Sequence, residues 1–178
     1  MTTPPVNRSS LSMLAIPLGI GGVIAFLGQA IIQLSHRMIE AMSMELSPVH
    51  WAFAIGWTLF MAYSEGYRGF QLRFAPRVVA RAWHLRSHPR PLHVLVAPVF
   101  CMGYFHASRK RVLLTWGHTE KIVCIVAFVR LLSQPWRGLV DLGVVVGLSW
   151  GCIAILAGTI RAAQRGTEVD PQLPDPKA

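Results

Sequence analysis

The sequence predicts an all-α, polytopic membrane protein of four transmembrane helices, and three observations lead there. Hydrophobic residues make up 53% of the 178 and charged residues only 14%, against about 25% charged in an ordinary soluble domain. Apolar runs of span length recur along the chain. The basic excess, 17 Lys and Arg against 8 Asp and Glu, gathers in clusters beside those runs, and such clusters resist translocation and stay cytoplasmic. One membrane-embedded domain, 11–165, uses nearly the whole chain.

Residues 1–10 are polar and proline-containing and read as a mobile tail. Residues 11–34 then carry no charge, enough to cross a core of ~30 Å at about 1.5 Å per residue. The run is too long for the apolar part of a signal peptide and lacks a cleavage motif, so it is expected to stay in the mature protein. Pro17 is expected near the helix start, where a missing N–H costs least. Gly19 and Gly22 would let a neighbouring helix approach closely. The apolar pattern continues from His36 towards Ser47, so the helix is expected to run past the headgroups.

Pro48 opens a second span, 49–67, rich in Trp51, Phe53, Trp57, Phe60 and Tyr67. A basic region, 68–111, follows with Arg68, Arg73, Arg77, Arg81, Arg86 and Arg90. Around Pro76 the pattern is helical: Val78, Val79, Ala82 and Trp83 fall on one side and Arg77, Arg81, His84 and His88 on another. That describes an amphipathic helix in the headgroup plane, anchored by Trp83 and stopped by Pro89 and Pro91. Segment 92–107 is apolar but broken by Pro98 and Gly103, and Arg109, Lys110 and Arg111 follow it. A re-entrant or interfacial course keeps both basic clusters on one side; a crossing would give five spans and put the second cluster outside.

The third span, 112–132, holds His118, Glu120 and Lys121 near its middle, and the turn SQPWR leads to the last span, 138–160. The tail 166–178 is proline-rich and polar and reads as disordered. Four spans leave only Arg37, Arg130 and Arg137 outside, with Lys121 inside a span. Five would strand Arg37, Arg109, Lys110, Arg111, Arg161, Arg165 and Lys177 there, so four spans with both termini cytoplasmic are expected, in a bacterial inner membrane.

Gly143, Gly147 and Gly151 recur every fourth residue, with Gly158 along the same face. Such a groove admits another helix backbone to backbone. Its occupant is either the Gly19/Gly22 face of the first helix or a second copy. Glu65 and Arg68 at the inner end of the second span are spaced for an ion pair, as are Arg137 and Asp141 at the outer mouth. His118, Glu120 and Lys121 are intramembrane ionisable groups, which by default mark pathways or relays.

Seven histidines raise the question of haem b, with His36 and His50 at the outer depth and His93, His106 and His118 at the inner one; no pair has a diagnostic spacing. No metal-ligand motif is present, and Cys101, Cys124 and Cys152 lie singly in apolar runs as buried thiols. No triad order, H-E-x-x-H or phosphate-binding loop is present. The resulting expectation is a non-enzymatic accessory or assembly component, packing through its glycine face as a homo- or hetero-oligomer. Arg73, Arg77, Arg81, Trp83, Arg86, Arg109, Lys110 and Arg111 would meet anionic lipid or a cytoplasmic partner; nucleic acid is not expected. The alternatives are a small transporter or proton-linked channel using Glu65, His118, Glu120 and Lys121, and a haem-binding electron-transfer subunit.

Overall fold

The computed structural model describes residues 8–89, 91–105 and 109–165, without the side chains of 8–11, 91, 110 and 111. The expectations for residues 1–7, Arg90, His106, the tail 166–178, and the side chains of Lys110 and Arg111 lie outside that description. Every regular element among the described residues is helical.

Helix α1 spans Arg8–Met42. It runs on past the charge-free stretch, as the apolar pattern beyond His36 predicts. Because it begins at Arg8, Pro17 falls inside the helix rather than in its first turn, where a lipid-embedded bundle tolerates it through compensating contacts. The chain then turns at Ser47, whose backbone N–H donates to Nδ1 of His50 at 3.2 Å. Pro48 takes the first position of α2, Pro48–Met61, where its missing donor is not needed.

Between α2 and α3, Ala75–Ser87, the chain never leaves the helical region. Residues Ala62–Phe74 are wound as a π-helix whose flanking residues Met61 and Ala75 are both right-handed helical. Residues 48–87 therefore form one continuous rod with a wide-wound middle. π-Helical turns are rare and concentrate at functional sites. The rod corrects the expected headgroup-plane helix: α3 buries Ala75, Val78, Val79, Ala82 and Leu85 against α1, α5 and α7. An amphipathic pattern requires one apolar contact, and here that contact is the bundle core.

The segment expected to be re-entrant or interfacial forms two short helices, α4 (Pro91–Leu95) and α5 (Ala97–Met102). Val96 breaks them apart and Gly103, at φ 87°, ends the second in the left-handed region, which glycine adopts without strain. Neither approaches the ~20 residues needed to cross the hydrocarbon core. After α6, Arg109–Val129, the last helix, α7, covers Trp136–Arg165.

Among the described residues, three helical stretches are long and apolar enough to cross a membrane: Ser12–Met42, Val112–Val129 and Trp136–Arg165. The expected span 49–67 is divided between α2, with 14 residues, and the π segment. The core gathers α1 (Ala15, Ile20, Val23, Leu27), α3 (Val78, Ala82, Leu85), α5 (Ala97, Phe100, Cys101) and Ile155 of α7. No described side chain of α6 belongs to it.

Candidate functional site

The glycine face of α7 is occupied by the rod. A Cβ added at Gly143 would stand 2.5 Å from Cδ1 of Trp57, and one at Gly151 2.5 Å from Cδ1 of Phe70. At Gly147 it would meet Cβ of Glu65 at 3.4 Å, and at Gly158 a methyl of Val79 at 3.3 Å. The notches left by missing side chains are thus met by residues of the continuous rod, Trp57 from α2, Glu65 and Phe70 from the π segment and Val79 from α3. The fit is reciprocal, since Gly66 of the π segment receives Trp150 of α7, 3.0 Å from a Cβ placed there. Two indole hydrogen bonds pin the ends: Trp57 Nε1 donates to the Val140 carbonyl at 3.0 Å, and Trp150 Nε1 to Oε1 of Gln71 at 2.8 Å. Trp57, Gln71, Gly66 and Trp150 were not singled out by spacing, because a knob and its hole lie roughly 80 residues apart in the chain and no local period relates them.

The glycines of α1 face elsewhere. Gly19 lies against Cys101 and Ala82, and Gly22 against Pro98, so this face seats the α5 hairpin and does not meet the glycines of α7. Where α7 does close on α1, the small residue is Gly138, packed on Ala41 and the Arg37 carbonyl. Gln134 ties the same junction. Its Nε2 donates to the Arg37 carbonyl at 3.2 Å and to Glu40 Oε2 at 3.0 Å, while its Oε1 accepts from the Gly138 N–H at 3.0 Å. Asp141 is buried one turn further along, with Arg137 and Arg37 as the cations acting on its carboxylate.

Arg81 was expected at the headgroups and instead lies in the core, 2% exposed. Its Nε donates to the Phe100 carbonyl at 2.7 Å and its Nη2 to the Phe105 carbonyl at 3.0 Å. The guanidinium also sits 4.4 Å from the centroid of the Phe100 ring, a cation–π arrangement. The cause is the continuous rod, which turns this face of α3 onto α5. There the arginine clamps the Gly103 turn, adding a second bond to the Phe100 carbonyl, which also accepts the Gly103 N–H at 3.0 Å, and holding the Phe105 carbonyl beyond it. Burial pushes the neighbouring Cys101 thiol up to about 12, against the opposing pull of the Arg81 charge, so it stays protonated and inert.

The remaining basic residues divide. Arg68, Arg73, Arg86 and Arg109 are exposed, Arg77 is half-buried, and Trp83 is half-buried against the core. The Nε of Arg77 donates to the Arg73 carbonyl. Glu65 is half-buried at Gly147, whereas His118, Glu120 and Lys121 are all exposed on α6. The ionisable residues of the transporter reading are not gathered into one site.

His84 and His88 stack on each other at 5.0 Å, while the described haem candidates are dispersed in their contacts. His36 bonds the Ile32 carbonyl at 2.7 Å, His50 packs edge-on to Trp136, and His93 stacks on Phe100 at 5.1 Å. Among the described residues, no three His, Cys, Asp or Glu converge as a metal site; a two-histidine haem site would not require such a group.

Helix α6 is joined to the rest differently. Tyr104, just beyond the Gly103 turn, shares a 2.7 Å hydrogen bond with Oγ1 of Thr119 and packs edge-on to Trp116 at 5.3 Å. Leu113, Val123 and Phe128 remain 73%, 57% and 68% exposed, and a Cβ added at Gly117 would meet nothing within 4 Å. Cys124, expected to be buried, is exposed on the same helix. No protein-family model, curated protein or solved structure matches the chain.

Proposed function

We propose that this chain is a non-enzymatic interaction component of a membrane assembly, with α6 as its docking helix and its exposed arginines set against anionic headgroups. The observation that carries the reading is the contrast within α6. It is long and apolar enough to cross a membrane, yet it presents His118, Glu120 and Lys121 on exposed positions. Glu120 lies about 15 Å along the axis from the basic residues at either end, near the bilayer midplane if the helix spans. An ionised residue facing lipid there costs roughly 2.5–3.5 kcal/mol on insertion scales. A facing helix with polar groups of its own removes that cost.

In this reading the chain spans four times, over 11–34, 49–67, 112–132 and 138–160, with both termini cytoplasmic in a bacterial inner membrane. The short α4 and α5 support a segment 92–107 that enters and returns, keeping Arg109 on the side of Arg68, Arg73 and Arg86. Those four exposed side chains then lie at the cytoplasmic leaflet, where each is favoured by about 1 kcal/mol on an anionic surface. Purification of the full chain in mild detergent tests the reading. Recovery in an assembly larger than one chain, with anionic lipid retained, is expected. A lipid-free monomer, with a cysteine at position 109 labelled only from outside, would overturn it.

A further inference from the structure

Resting on α6 as the docking element, we infer that its occupant is a second copy of this chain, joined through α6 in a parallel two-fold pair. At roughly 100° per residue, Leu113, Gly117, Cys124 and Phe128 fall on one line down α6, within about 60° of each other. Glu120 flanks that line on one side and Lys121 on the other. Tyr104 is met by Thr119 on the opposite side of the helix and by Trp116 about 90° from the line, so the line faces away from that contact. All six flanking and central residues are exposed. The centre of the line is small, with Gly117 and Cys124 one heptad apart, which permits close approach in lipid.

The charges select the partner. Copies inserted by the same topology signals are parallel, and a two-fold axis along the helices makes the interface self-complementary. Rotation by 180° about that axis brings the Lys121 flank of one helix opposite the Glu120 flank of the other, on both sides of the seam. Because the two residues are consecutive, they differ in depth by only about 1.5 Å. Each Lys121 therefore meets the partner's Glu120, and both midplane charges are neutralised without a second protein. Within one helix the pair is poorly placed to do this, since neighbours point about 100° apart.

Cys124 lies on the seam and reports on it directly. In a parallel pair it meets its own copy within reach of a disulfide, which needs Cα atoms about 4.4–6.8 Å apart. The experiment uses full-length chain in its native membranes with Cys101→Ser and Cys152→Ser, leaving Cys124 for mild oxidation. A cross-linked species of twice 19.7 kDa is expected. Glu120→Lys or Lys121→Glu alone sets like charges opposite each other and should reduce the dimer roughly tenfold or more. The double exchange, Glu120→Lys with Lys121→Glu, should restore it, which also shows that the single variants had not simply failed to fold. Equal cross-linking in all four chains would overturn the charge pairing. Cross-linking to a different protein would overturn the second copy while sparing the docking role of α6, and a chain that cross-links to nothing would sink both.

Discussion

Helices α6 and α7 are both apolar and both long enough to cross a membrane, yet only one of them has its glycines filled. On α7, Gly143 and Gly151 hold the rings of Trp57 and Phe70, whereas Gly117 on α6 faces open space. The difference teaches that a small residue in a lipid-facing helix is an offer of contact, and that the neighbour decides whether it is taken. Without a hydrophobic force between helices in lipid, association depends on shape and on polar pairing. Helix α7 finds both in its own chain, through the two indole bonds to Val140 and Gln71. Helix α6 meets Tyr104 there, and keeps Glu120 and Lys121 exposed.

The comparison breaks most visibly at Gly151. A leucine there would drive into the Phe70 ring and force the rod off α7, so Gly151→Leu should lose at least about 3 kcal/mol, the upper end of ordinary overpacking. Reversible unfolding in mixed detergent would read this, and a variant within 1 kcal/mol of the parent would mean that the seam is loosely held.

Arg81→Ala comes next. It leaves the Phe100 carbonyl with the Gly103 N–H and takes the arginine bond from the Phe105 carbonyl, and should cost about 1–3 kcal/mol, the scale of one acceptor left unmade. Hydrogen exchange should then rise first at 97–105, the turn that the guanidinium clamps. Uniform protection there would show that α5 holds itself in place.

A smaller loss is expected at the junction of α1 and α7, where Gln134→Ala removes three modest hydrogen bonds near the surface. About 1 kcal/mol is the scale for such a partly exposed cluster. The same unfolding assay measures it, and no loss would mean that Gly138 alone closes the junction.

The contrast sharpens with two changes expected to do almost nothing to the fold. Arg73→Ala with Arg86→Ala alters only exposed arginines, so stability should stay within about 0.5 kcal/mol while anionic lipid retained on purification, weighed by mass spectrometry, falls. Gly117→Leu should likewise leave the monomer's stability nearly unchanged, because a Cβ there would meet nothing within 4 Å, and its effect should appear in Cys124 cross-linking.

Part of this arrangement was legible in the residues alone. Charge-free runs and the basic clusters between them demand helices in lipid, because every backbone N–H and C=O there must be satisfied within its own segment. Pro98 and Gly103 likewise forecast that 92–107 would not form one long helix, and it forms α4 and α5. The glycines of α7 were visible by their period, though not what fills them.

What only the tertiary structure decided is partnership. Periodicity states which face of a helix is apolar or small, and is silent on what lies opposite. The headgroup helix expected around Trp83 and the core helix α3 have the same sequence pattern, and only the unbroken helical backbone through Ala62–Phe74 turned Arg81 inward onto α5. Trp57 meets Gly143, and Trp150 meets Gly66, across distances in sequence that no local rule covers. Helix α6 stays exposed for the same kind of reason, since its apolar pattern does not say what lies opposite it. A sequence encodes its helices through forces acting within a few residues, whereas the choice of neighbour depends on shapes that exist only once the helices have met.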